Sequence, residues 1–137
     1  MRYLLTCVCL VLLNGLQSQI TIKTEGSSGN KIAVLPSMKF PSGTPVIEFR
    51  KNGSGTVEFH NQDAAAFDIL NNPVNYTFKN EEGTSQIKCP VAPNNRWIEC
   101  PEELLDMLKK EGEMSFKAMM KTHKYDLSGA RAIFEDL

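Results

Sequence analysis

Cys89 and Cys100 are the residues whose type and spacing offer the most definite chemistry in this 137-residue chain. Two thiols this close could hold a metal, cycle as a redox pair or form a structural bridge. A metal site needs further ligands nearby, and the sequence supplies none at a recognisable spacing. A redox pair more often shows C-x-x-C spacing. In an oxidising compartment the remaining reading is one disulfide, expected to contribute about 3 kcal/mol through the loop that it closes. Cys7 and Cys9 stand apart, inside the apolar run that opens the chain.

Catalytic groupings are scarce. The two histidines, His60 and His123, are expected as solvated residues, one on a strand and one on a helix. No H-E-x-x-H, G-x-S-x-G or phosphate-cradling glycine loop occurs. Gly53 and Gly55 fall in a hairpin tip, not at a strand-to-helix turn. No metal and no cofactor is expected, and the chain is read as a non-enzyme. Full-length net charge is −1, and removing Arg2 makes it one unit more negative. Neither sign dominates, which argues against nucleic acid as a partner.

The compartment is read from the N-terminus. Met1-Arg2-Tyr3 is a short positive start, Leu4 to Leu16 is largely apolar, and Leu16-Gln17-Ser18 provides a small residue for cleavage. This is the pattern of a secretory signal peptide over residues 1–18, leaving 19–137 as a single domain. Asn52-Gly53-Ser54 and Asn75-Tyr76-Thr77 fit the N-glycosylation pattern, so Asn52 and Asn75 are candidate acceptors. No later stretch is long and apolar enough to span a membrane or to serve as a lipid-anchor tail. The expectation is therefore a secreted, extracellular glycoprotein without a membrane span.

These residues must be positioned by a β-rich body. Ile20 to Ile22 and Lys31 to Leu35 read as strands, and Pro36 to Pro45 as a loop. Ile47 and Phe49 alternate with Glu48 and Arg50, then Val57 and Phe59 with Glu58 and His60, across a glycine-rich turn. That is a hairpin pattern. For the four apolar residues to share a face, the loop must hold an odd number of residues or a bulge. Asp63 to Leu70 is read as a short strand or an irregular segment. Val74, Tyr76 and Phe78 alternate again, placing Asn75 on the polar face. Ser85 to Val91 and Arg96 to Cys100 are read as a last hairpin, with Cys89 opposite Cys100, Val91 opposite Ile98, and Trp97 pointing away from Ile98.

After Cys100 the period changes. Pro101-Glu102-Glu103 opens a helix, Leu104, Leu105 and Leu108 form its apolar stripe, and Gly112 stops it. Met114, Phe116, Met119 and Met120 are read at helical spacing, with Lys117, Lys121 and Lys124 on another face. Ser128 caps a last helix carrying Ala130, Ile133, Phe134 and Leu137. The fold class expected is α+β: a small antiparallel sheet body over residues 20–100, C-terminal helices over 101–137, and one disulfide. Trp97, Met114, Phe116, Met119 and Met120 are the candidate partner surface, since methionine adapts to irregular partners. Their bland reading is core packing. Lys109-Lys110 suits a helix end, with dibasic processing as its alternative.

The short leader, the β-rich body, the close pair Cys89 and Cys100, and the Cys100-Pro101-Glu102-Glu103 entry into a helix resemble small secreted nematode proteins of uncharacterised function. The chain is unlike cystatins, having no Gln-x-Val-x-Gly, and lacks the cysteine density of Kunitz or knottin inhibitors. The resemblance implies a non-enzymatic extracellular factor with a regulatory role, in a setting such as reproductive physiology. It assigns no functional residue. The function expected is a regulatory or binding protein acting through its surface on an extracellular protein or receptor. The alternative is an extracellular carrier of a small apolar ligand.

Overall fold

The computed structural model describes residues 20–36, 47–62, 73–90, 97–118 and 120–137. Among the described residues nine strands form two antiparallel sheets. The first sheet has the order β1-β2-β3-β4-β7, with β1 at Thr21–Thr24, β2 at Lys31–Leu35, β3 at Ile47–Lys51, β4 at Val57–Asn61 and β7 at Ile98–Glu99. The second has the order β6-β5-β8-β9, with β5 at Val74–Asn80, β6 at Gly83–Cys89, β8 at Glu113–Ala118 and β9 at Lys121–Asp126. Helix α1 spans Glu102–Lys109 and α2 spans Ala130–Asp136.

The β3–β4 hairpin follows the sequence pattern. Phe49 pairs with Phe59 and Lys51 with Val57, so the loop holds the five residues 52–56. An odd loop keeps Phe49, Phe59 and Val57 on one face. The side chain of Asn52 organises the turn. Its Oδ1 accepts from the N–H groups of Ser54 and Thr56, each at 3.0 Å, and its Nδ2 donates to Glu58 at 3.2 Å.

Both sheets turn one face toward a common core. The first contributes Ala33, Leu35, Ile47, Phe49 and Phe59; the second contributes Val74, Tyr76, Phe78, Met114, Phe116 and Tyr125. Leu104 and Leu108 of α1 and Ala130 and Phe134 of α2 complete it. Phe134 meets Phe49 edge-on, with ring centroids 4.9 Å apart. Helix α1 starts with Glu102 and Glu103 and ends with Lys109, charges that complement its dipole. Past its end Glu111 and Gly112 take φ of 64° and 88°, turning the chain into β8.

The expected α+β class is overturned, because the protein is mostly β with two short helices. The segment read as a methionine-bearing helix is the β8–β9 hairpin. Met114, Phe116 and Ala118 alternate with Ser115 and Lys117, and Tyr125 and His123 face them across the ladder. The alternation of two competes with a helical spacing in these residues, and burial of one whole sheet face favours the strand. The expected cap at Ser128 also differs. Its hydroxyl donates to Asp126 at 2.6 Å, and Gly129, at φ 83°, occupies the cap position.

The last hairpin is reassigned too, and the disulfide with it. β6 pairs with β5, Cys89 opposite Val74, whereas β7 pairs with β4, Ile98 opposite Phe59. Cys89 therefore belongs to the second sheet. Cys100 follows β7 of the first, its N–H donating to the Val57 carbonyl at 2.8 Å. Each is a buried free thiol. Residues 1–18, the loop read at 36–45 beyond Pro36, Asp63 to Leu70, Val91 and Met119 lie outside the described residues.

Candidate functional site

The second sheet presents a polar outer face. Across its four strands the outward rows run Lys88–Asn75, then Gln86–Thr77–Ser115–Lys124, then Thr84–Lys79–Glu113–Asp126. Lys117 and Thr122 form the continuation of the first row on β8 and β9. The face is laid out by alternation, since the residues next to inward Val74, Tyr76, Phe78, Met114 and Phe116 place amide, hydroxyl, ammonium and, at Glu113, carboxylate groups outward.

The ladder between β5 and β8 is short. It joins Lys79 to Glu113, Phe78 to Met114 and Thr77 to Ser115, and ends there, although both strands continue. Where they part, a groove of about 500 Å³ opens, lined by Pro73, Val74, Asn75, Thr77 and Gln86 on one side and by Ser115, Phe116, Lys117 and Thr122 on the other. The Tyr76 and Phe116 rings, 5.7 Å apart, keep the strands in touch on the core side, so the opening faces outward. Asn75 donates to Gln86 Oε1 at 3.0 Å, and Gln86 donates to Thr77 at 3.3 Å, fixing the amides on one wall.

Continued in the same register, the ladder would pair Tyr76 with Phe116 and then Asn75 with Lys117. In an antiparallel ladder the residues of one strand point their N–H and C=O alternately to either neighbour. The tight turns after Asn80 and Ala118 set that phase, so Thr77 and Lys79 address β8, and Ser115 and Glu113 address β5. By the same phase the main-chain groups of Asn75 and Lys117 point into the groove.

The outer face of the first sheet holds a second cluster. Glu48 is buried and lies 2.8 Å from Lys23 Nζ and 3.7 Å from His60 Nε2. His60 lies under Trp97, edge to face at 4.3 Å, and the Arg50 guanidinium sits 4.2 Å over the Trp97 ring. Arg50 also reaches Glu58 at 3.2 Å and Glu25 at 3.6 Å. Burial holds the His60 imidazole below its usual pKa, and the cations Lys23 and Arg50 act in the same direction against Glu48. The solvated strand histidine expected from the sequence is thus a buried one. Trp97 does face away from Ile98, but as a half-buried lid on this cluster.

The other sequence candidates disperse. Met114 and Phe116 are core residues, at 1% and 2% exposure, while Met120 stands fully in solvent at the β8–β9 turn with φ 63°. They form no common surface. His123, read as a solvated helical residue, is a buried strand residue stacked on Phe116 at 5.0 Å. Burial pushes the Cys89 thiol up to about 11, with Glu103 adding to it, and the Cys100 thiol up to about 12, with Cys89 adding to it. Such thiols stay protonated and are poor nucleophiles near neutrality. Asn52 is tied into its turn, and Asn75 forms part of the groove wall. Lys110 caps the end of α1 and pairs with Glu82 at 2.9 Å.

Neither cluster was named from the sequence. The outer-face cluster had a signal, because Glu48 and His60 fall opposite each other once the hairpin loop is given five residues. The groove had none, since it depends on β5 pairing with β8 across a long stretch of chain. No grouping of three or more acidic, histidine or cysteine side chains that could hold a metal occurs among the described residues. None of their helices is long and apolar enough to cross a membrane. Comparison of the chain with protein-family models, with curated proteins and with solved structures gives no match.

Proposed function

We propose that this chain is a small secreted, non-enzymatic binding protein that regulates an extracellular partner through its surface. The groove between β5 and β8 carries the reading. Its walls offer amides, hydroxyls and an ammonium group at a site framed by rigid strands, the makings of a recognition surface. The His60–Glu48 pair lies on the opposite sheet, buried beneath Trp97 rather than open to a substrate. The leader pattern supports export.

The carrier alternative has no observation in its favour among the described residues. Tyr76, Phe49, Phe59, Phe78, Phe116 and Met114 fill the space where an apolar ligand would have to lie. The test is recovery of the tagged protein from secreting cells, followed by cross-linking in extracellular fluid and mass spectrometry. The reading expects an N-terminus at Gln19 and a reproducible partner cross-linked to the second sheet. Protein retained in the cytosol with Met1 attached would overturn it.

A further inference from the structure

We infer that the groove between β5 and β8 takes an extended, acidic segment of a protein partner, which lays its main chain against Asn75 and Lys117. This rests on the binding reading above and names the chemistry of the partner.

Main-chain geometry and charge both point this way. The paired ladder stops at Thr77 and Ser115, leaving Asn75 and Lys117 with N–H and C=O groups directed into the groove. An extended chain is the ligand that satisfies such groups in register, as in strand addition at a sheet edge. Because β5 and β8 are antiparallel, the entering segment runs parallel to one and antiparallel to the other. Phe116 and Val74, otherwise core residues, close the base of the groove.

The charge is one-sided at this end. Lys88, Lys117 and Lys124 are exposed and make no ion pair among the described residues. The acids of the same face, Glu113 and Asp126, lie opposite each other in the ladder at its far end. An acidic segment meets lysines here without opposing carboxylates, which speeds encounter and fixes register. A sulfated oligosaccharide would also be drawn to the lysines, but it would have no use for the strand-edge groups.

The experiment is a titration of the secreted, mature protein with an acetylated peptide of alternating glutamate and valine, followed by amide NMR. Saturable, salt-sensitive shifts at Asn75 and Lys117 are expected, as is loss of binding when alternate peptide nitrogens are methylated. Lys88→Glu together with Lys117→Glu weakens binding about tenfold or more, whereas Lys51→Glu on the other sheet does not. The inference is overturned if methylation leaves binding unchanged, if the shifts fall elsewhere or are absent, or if heparin-derived oligosaccharide occupies the groove and the peptide does not. A partner cross-linked to the Trp97 face would overturn this inference and leave the binding-protein reading intact.

Discussion

The Asn61 amide of the first sheet donates a 3.0 Å hydrogen bond to the buried Tyr76 hydroxyl of the second. Asn61 ends β4, directly after His60 on the outer face, so a single step along the strand passes from the outer cluster to the core. Removing the hydroxyl leaves a donor without that acceptor in a dry place. Tyr76→Phe is expected to lower stability by about 1–3 kcal/mol. Chemical denaturation of Tyr76→Phe, Asn61→Ala and the double variant measures it. A coupling energy near zero would show that the two sheets are not linked through this bond.

Gly112 has no room for a side chain. At φ 88° a Cβ there would overlap the Lys79 carbonyl oxygen, and the Gly112 carbonyl accepts from Leu127 N–H at 2.9 Å. Gly112→Ala is expected to cost several kcal/mol, because both the left-handed backbone and the overlap oppose it. Gly29→Ala, also at positive φ but with nothing within 4 Å, is the control and should cost less. Equal melting temperatures for the two variants would contradict the packing described.

The two thiols should react slowly in the folded protein and fully once it is unfolded. Both titrate above the ordinary value of 9.0 in the native state. Above that pH the unfolded chain releases protons that the native chain still holds, so stability falls as pH rises, from about 9 up to about 12. Tyr76, also raised by burial, adds to the loss at the upper end. Thiol titration with and without denaturant, and melting temperatures across this range, check both statements. Cys89→Ala with Cys100→Ala should flatten the alkaline decline; an unchanged profile would contradict the assignment.

His60 shapes the acid side. Its native pKa lies below 6.5, so on acidification the unfolded chain takes up a proton before the native one does. Stability contributed by the neutral imidazole is present above 6.5 and is lost as pH falls below it. His60→Gln should lessen that decline between neutral and mildly acid pH. Denaturation midpoints at several pH values measure it, and a decline as steep as in the parent would remove His60 from the account.

The strand alternation of Phe49 and Phe59 was legible because one face is buried and the other polar. The odd loop followed from that alone. Helix α1 was legible from its charged ends and leucine stripe, and α2 from Ala130 and Phe134. The β8–β9 hairpin was not, because Met114, Phe116, Met119 and Met120 satisfy part of either period and methionine has little strand preference. The hairpin expected to join the two cysteines failed for a topological reason. Closeness in sequence suggested one hairpin, whereas β6 and β7 take partners in different sheets. Of the site, the outward placement of Asn75 could be read, but the groove beside it could not.

The two sheets are closed by seams of different reach from their hairpins. β3 meets β4 and β8 meets β9 across short turns, but β4 meets β7 and β5 meets β8 only after long excursions of the chain. Ordering those excursions costs entropy before any contact rewards it, and this places the architecture among slow folders. Refolding should therefore be limited by the arrival of Ile98 at Phe59 and of Ser115 at Thr77, with the local turns already formed.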